Sequence, residues 1–360
     1  MASATSQTVT YSTIAALALD KLSEEIADTI STANAAFYFM KKSGNWEGVT
    51  AGGRQLRKSV LYNLQTIRPL GAFGVVNVNP VDSHTSTYWP WVQTAVAVSF
   101  ADLEEFQTGG SEAIETIVKA KFQQATASLD DFMDRAILRG QADIDGSSVT
   151  TEITSPSDGS LFVVPIAKLV HYLTSTSLTV GGIDQSTNAF WKNQYLASTA
   201  TSLTAWLGEL RNLHIYCQRG GGNPKAPDFH LTDEYTYNCY ERGLSLLHRN
   251  PNYERADIPF ENVLFKKAPV IPDQLMIDAY SGSTTLSYGT WYMLNSGYMG
   301  FTYDKTKSFK LGDYVRPANQ LVSTALMPVR GALWTNNRRK LGVNHTIAST
   351  AGAALQTATS

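Results

Sequence analysis

Two neighbouring stretches constrain the fold of this chain more than anything else in it. The run Tyr88-Trp89-Pro90-Trp91-Val92-Gln93-Thr94-Ala95-Val96-Ala97-Val98-Ser99-Phe100 alternates as an extended strand does. Val92, Thr94, Val96, Val98 and Phe100 would share one face, with Gln93, Ala95, Ala97 and Ser99 opposite. The stretch from Ser111 to Gly140 carries apolar residues at helical spacing instead. A helix of about 29 residues is roughly 44 Å long at about 1.5 Å per residue, whereas globular helices usually run about 8–20 residues. A long strand delivered to one end of a long helix suits a protein built to reach its neighbours.

The helix has clear ends. Gly109-Gly110 precede it and Gly140 follows; Glu112 and Glu115 sit where the helix dipole favours anions, Arg135 and Arg139 where it favours cations. Ile114, Ile117, Val118, Phe122, Ala125, Leu129, Phe132, Met133 and Ala136 form one stripe. Asp130, Asp131 and Asp134 lie off it, which predicts a solvated acidic face in preference to a metal site.

The 360 residues suffice for a sizeable core and suggest two or three domains. Hydrophobic residues make up 43% and charged residues 17%, which indicates a folded, soluble protein whose polar surface is partly uncharged. With a net charge of −2 and Arg338-Arg339-Lys340 as its one compact basic cluster, the chain lacks the footprint of a tight DNA binder. Cys217 and Cys239 form no CxxC pair and read as buried thiols. The apolar run Leu161–Ala167 is far short of the ~20 residues that span a membrane. Met1–Thr8 has no basic or apolar signal character, so a cytosol-like compartment is expected, or whatever is assembled there.

Along the chain, an amphipathic helix is predicted over Thr13–Thr32, with Ile14, Leu17, Leu22, Ile26 and Ile30 near one face. Gly52-Gly53 end an arm, residues 1–53, that has little core of its own. Strands over Lys58–Gln65 and Thr87–Phe100 read as one long hairpin around a turn region containing Pro69, Gly71, Gly74, Asn79 and Pro80. Residues 141–160 read as loop. Helices follow over Thr201–Gln218, stopping at Gly220-Gly221-Gly222, and from a Thr232 cap to about His248. Short strands are predicted at Ala226–His230, Val263–Phe265, Pro269–Ile271 and Trp291–Leu294. From Met299 the pattern is nearly all β, including Ser308–Leu311 and Leu321–Val329, with a loose tail after Ile347.

Catalytic patterns are missing. The six histidines, His84, His171, His214, His230, His248 and His345, never fall at i, i+4. No nucleophile elbow, Walker loop or GxGxxG occurs, and the Gly220 triplet follows a helix where a phosphate cradle precedes one. Glu104-Glu105 reads as a solvated strand end and Asn344-His345-Thr346 as a sequon without a secretory route. Seven Trp and seventeen Tyr suit interfaces as well as core. An assembly or binding protein fits better than an enzyme.

Five segments in order resemble the major capsid protein of tailed bacteriophages, the Hong Kong 97-type coat. They are Trp91–Glu105, Gly181–Trp191, Pro227–Tyr235, Phe260–Val270 followed by Trp291–Asn295, and Trp334–Val343; the similarity covers roughly residues 37–347. The resemblance implies an α+β fold with an N-terminal arm (1–53), an extended β-hairpin loop (54–107) and a peripheral domain (108–150 and 296–330) holding a spine helix at about 111–139. An axial domain (151–295 and 331–347) and a flexible tail (348–360) complete it. It further implies pentamers and hexamers closing into an icosahedral shell around double-stranded DNA, with portal, scaffolding and decoration proteins as partners. No cofactor, metal, catalytic residue or membrane partner is implied, and the location is the virion, assembled in the host bacterial cytoplasm. Trp89, Trp91, Arg54, Arg57, Arg68, Glu104, Glu105, Arg338 and Arg339 are the expected assembly contacts. Replacing Trp89 and Trp91 with alanine is predicted to leave a folded subunit that closes poorly. Lys58 lies near the base of the loop with no lysine near its tip, so no covalent link to a neighbour is expected. An encapsulin-like compartment shell is the alternative within the same fold, and an α+β hydrolase would need a converging Ser/His/Asp site that these residues do not offer.

Overall fold

The computed structural model describes residues 45–50, 52–70, 72–75, 79–102, 111–138, 163–172, 178–200, 202–219, 226–245, 263–273 and 289–345, together with Phe37, Met40, Lys41 and Met276. The predicted helix at 13–32, the loop at 141–160, the Gly220 triplet and the tail lie outside them.

Two sheets organise the fold. The first has four strands in the order β1 (Trp46–Val49), β12 (Met299–Asp304), β13 (Val322–Thr335) and β4 (Val92–Ala101). β4 runs antiparallel to β13, from Val92 opposite Gly331 to Ala101 opposite Val322. Its alternation is as predicted: Val92, Val98 and Phe100 are buried, while Gln93, Ala95, Ala97 and Ser99 are exposed. β1, from the end of the arm, adds to the far edge parallel to β12, and Trp46 stacks on Phe301 at 4.8 Å. Gly331 has no side chain for a packing reason, since a Cβ there would lie 2.3 Å from the Phe301 ring.

Helix α1 (Ser111–Leu138) is 28 residues long and lies against β4. Val118, Phe122, Ala125, Leu129, Met133 and Ala136 are buried, so from Val118 onward the predicted stripe faces the core. Each large apolar side chain so buried contributes about 1.5–3 kcal/mol. The acidic residues depart from expectation. Asp131 is exposed and pairs with Arg135 one turn on at 3.1 Å, but Asp130 and Asp134 are 5% and 1% exposed. They are buried alongside Ile137 and Leu138, in a core that Phe37, Met40 and Met276 also join.

The second sheet has six strands in the order β7 (Gln194–Ala197), β14 (Gly342–His345), β11 (Trp291–Leu294), β8 (Phe229–Thr232), β10 (Ala268–Pro272) and β9 (Val263–Phe265). Every residue of β8 and β11 is buried, which explains the continuous apolar run Trp291-Tyr292-Met293-Leu294. Helix α3 (Leu203–Gln218) covers β7 and β14, and helix α4 (Glu234–Ser245) packs on β10; α2 (Ile166–Leu169) is a single buried turn. Ser202 caps α3 by accepting from the Ala205 amide at 3.3 Å. The cap of α4 is Asp233, not Thr232. Its carboxylate accepts from the Thr236 amide and hydroxyl at 2.7 and 2.9 Å, and from the amides of Gly289 and Thr290 at 2.7 and 3.2 Å. Thr232 instead ends β8 and donates its hydroxyl to the Thr290 carbonyl.

Two further expectations change. The Thr87–Phe100 run is not one strand: it breaks at Trp91 into β3 (His84–Pro90), which pairs with β2 (Gln55–Leu61), and β4, which joins the first sheet. Pro90 has no amide hydrogen to continue a ladder. Ser308–Leu311 forms a turn, tied to β13 by Phe309 donating to the Pro328 carbonyl. Trp334–Val343 is the crossing between the sheets, with β13 ending at Thr335, a 3-10 turn at Arg338–Lys340 and β14 starting at Gly342.

Candidate assembly surface

The β2–β3 hairpin is held against the body along its length. Trp89 is 0% exposed and donates its indole N–H to Thr87 Oγ1 at 3.1 Å. The Tyr88 amide donates to the carbonyl of Gly181, in the tight turn joining β5 (Thr179–Val180) to β6 (Ile183–Asp184). Gly181 and Gly182 both have positive φ, +62° and +81°, and a Cβ on Gly181 would press on Trp89 at 3.1 Å. Lys58 Nζ sits 3.7 Å over the Trp334 ring and 3.4 Å from Glu47. Tyr62 stacks on Phe190 at 4.9 Å, and a hydrogen bond to Asp82 raises its hydroxyl pKa.

Beyond Tyr62 the chain leaves this support. Ile67 and Phe73 are 92% and 100% exposed, and Leu64, Leu70 and Val75 are exposed with them. Singly exposed apolar residues are ordinary, but a cluster on one exposed segment marks a contact surface. At the hairpin's foot is a groove of about 450 Å³ lined by Val49, Gly53, Trp91, Asp304, Lys307 and Arg330. Trp91 is half-buried, and its enclosed indole N–H meets no acceptor among the described residues. Arg330 is held by Gln93 at 3.0 Å and Asp304 at 3.6 Å.

The expected contact residues divide accordingly. Arg54, Arg57, Arg68 and Arg339 are exposed, Arg57 lying 5.8 Å from the centre of the Tyr88 ring. Glu104 and Glu105 lie outside the described residues. Trp89 and Arg338 are internal, which corrects the expectation that they face a neighbour. The Arg338 guanidinium reaches the carbonyls of Leu169, Trp191 and Lys168 and the side chains of Gln185 and Asn193, at 2.7–3.4 Å. Since Trp89 is core, Trp89→Ala alone is expected to cost about 3–5 kcal/mol, read as a lower denaturation midpoint, whereas Trp91→Ala should cost under about 1 kcal/mol. The apolar tip itself escaped sequence reasoning, because Leu64, Ile67, Leu70 and Phe73 follow neither a strand nor a helix rhythm. The available signal was their density in a segment with one charge, Arg68.

No group of three or more metal-ligating side chains converges among the described residues, and no described helix is long and apolar enough to cross a membrane. The fold does bring His214 and His230 together, ring centres 6.3 Å apart, against Phe265. Burial lowers both pKa values, that of His230 to about 3, so both are neutral core groups. Burial pushes the Cys217 thiol up, away from nucleophilic use. Asn344 of the sequon is 0% exposed and accepts from the Trp206 indole.

No known family model matches the chain, and no curated protein does. Solved structures do. A capsid chain of cyanophage A-1(L) aligns over 83% of this chain and 89% of its own, at 11% identity and a TM-score of 0.60. The capsid of a native GTA particle aligns over 96% and 94%, at 11% identity and 0.51. An encapsulin complex from Synechococcus elongatus PCC 7942 aligns over 84% of each chain, at 10% identity and 0.50. With its spine-like α1 along one sheet, a second sheet carrying α3 and α4, and a separate two-stranded hairpin, the chain has the Hong Kong 97-type capsid fold.

Proposed function

We propose that this chain is a phage coat subunit that assembles with copies of itself, through pentamers and hexamers, into a closed icosahedral shell around double-stranded DNA. The observation that carries the reading is a rigidly rooted hairpin ending in exposed Leu64, Ile67, Leu70 and Phe73. Burying such side chains against a neighbour gains about 1.5–3 kcal/mol each. Repeated around closed symmetry, contacts of this kind stabilise rings and shells. In this reading residues 1–53 are the arm, 54–107 the extended loop, 108–150 with 296–330 the peripheral domain, and 151–295 with 331–347 the axial domain.

A net charge of −2 suits a lining that encloses a polyanion without gripping it. Portal, scaffolding and decoration proteins are the partners the reading calls for, with the virion as location and the host cytoplasm as the place of assembly. The likeness to an encapsulin favours a second reading, a protein compartment with the same architecture. Sedimentation of the purified chain tests assembly: megadalton particles or discrete five- and six-membered rings support it, and a persistent 39.4 kDa monomer at high concentration contradicts it. Particles carrying nucleic acid favour the phage reading, and particles carrying a protein cargo favour the compartment.

A further inference from the structure

The middle of α1 carries two carboxyl groups inside the protein. Asp134 is 1% exposed and neither of its oxygens has a hydrogen-bond partner among the described residues; Asp130 is 5% exposed, and its Oδ1 is likewise unpartnered. The seam around them joins three parts of the chain: α1, the segment of Phe37, Met40 and Lys41, and the segment of Asp273 and Met276 that follows β10. Asp273 is 5% exposed and its charge bears directly on Asp134. The other described groups facing the pair are Lys41, which favours ionised Asp130, and Asp131, which disfavours ionised Asp134. The Phe37 amide favours the Asp134 anion from outside hydrogen-bond geometry.

An ionised carboxylate without donors in such a place is far more costly than a neutral acid. We propose that Asp134 and Asp130 are held as neutral acids, and that releasing their protons to solvent loosens the seam between α1, the arm and the segment after β10. The chain thereby carries an alkaline-release latch at the junction its long helix spans. The latch goes beyond the coat reading and does not depend on it.

The direction is fixed by where the protons bind. Burial, and for Asp134 the nearby carboxylates of Asp273, Asp131 and Asp130, push the two groups to about 7 and about 8. An unfolded aspartate titrates near 4, so the folded seam is at full strength below about pH 4, where both states hold their protons. It weakens steadily as pH rises from about 4 to about 7 and 8, and the loss levels off above, where both states have given up their protons.

Hydrogen exchange of the full chain between about pH 5 and 9.5, corrected for intrinsic rates, tests this. Amides at 129–137 are expected to open about tenfold more per pH unit for each linked proton until pH passes about 7 to 8, and to level off above that, relative to α3 as internal control. Asp134→Asn, which keeps the shape and removes the titration, should shallow that slope. The latch is refuted if 129–137 tracks α3 across the range, if Asp134→Asn retains the full wild-type slope, or if calcium restores protection at high pH. Should Asp134→Asn fail to fold, the wild-type slope at 129–137 against α3 still decides.

Discussion

Arg338→Ala is expected to lower the folding stability by about 3–5 kcal/mol, because it leaves buried acceptors without their donor. Arg338 is 0% exposed and sits on the 3-10 turn where the chain passes from β13 to β14, hence from one sheet to the other. Its fork gathers carbonyls from α2 and from Trp191 with the amide side chains of Gln185 and Asn193, and Asn193 in turn donates to the His171 carbonyl at 2.8 Å. One side chain thus holds the sheet crossing, the β5–β6 region and α2 together. Arg338→Lys keeps the charge but offers a single ammonium in place of a planar fork, so it should recover less than half of the loss. Denaturant titration followed by circular dichroism provides the comparison. An alanine variant within about 0.5 kcal/mol of wild type, the range of an ordinary surface change, would show that the network is not a fastener.

The opposite outcome is expected at the hairpin tip. Ile67→Ser with Phe73→Ser should leave the denaturation midpoint unchanged, because both side chains are already in water. The same variant should form no closed particles. Two lost anchors at about 1.5–3 kcal/mol each weaken each contact by roughly 10²- to 10⁴-fold, and a shell repeats that deficit at every subunit. Velocity sedimentation alongside circular dichroism separates the two effects. Normal particles from a normally folded variant would remove the tip from the assembly surface, and a misfolded variant would show that the tip serves the subunit's own core.

Together these variants mark what a reader of the sequence alone can and cannot see. The alternation of β4, the stripe of α1 and the run Trp291–Leu294 were legible because each is a local pattern with a period of its own. The break between β3 and β4 was written in Pro90, whose missing amide hydrogen outweighs an otherwise continuous rhythm. Asp130 and Asp134 misled because their burial depends on residues distant in sequence, Phe37, Met40 and Met276, which share their core. Arg338 looked like part of a basic surface cluster for the same reason, its partners coming from residues 168–193. Trp89 was expected at a neighbour because aromatic residues favour interfaces, yet the β5–β6 turn closes over it. The exposed tip repeats every three residues, at Leu64, Ile67, Leu70 and Phe73, around Pro69, Gly71 and Gly74, a spacing that specifies neither a strand nor an uninterrupted helix.

Electron cryomicroscopy of the particles formed by the wild-type chain alone is the most direct measurement of the central claim. The coat reading predicts a symmetric shell in which residues 62–75 of each subunit lie against the body of an adjacent copy, with Ile67 and Phe73 buried there. Monomers with no assembly, or particles in which that segment folds back on its own subunit, would contradict it.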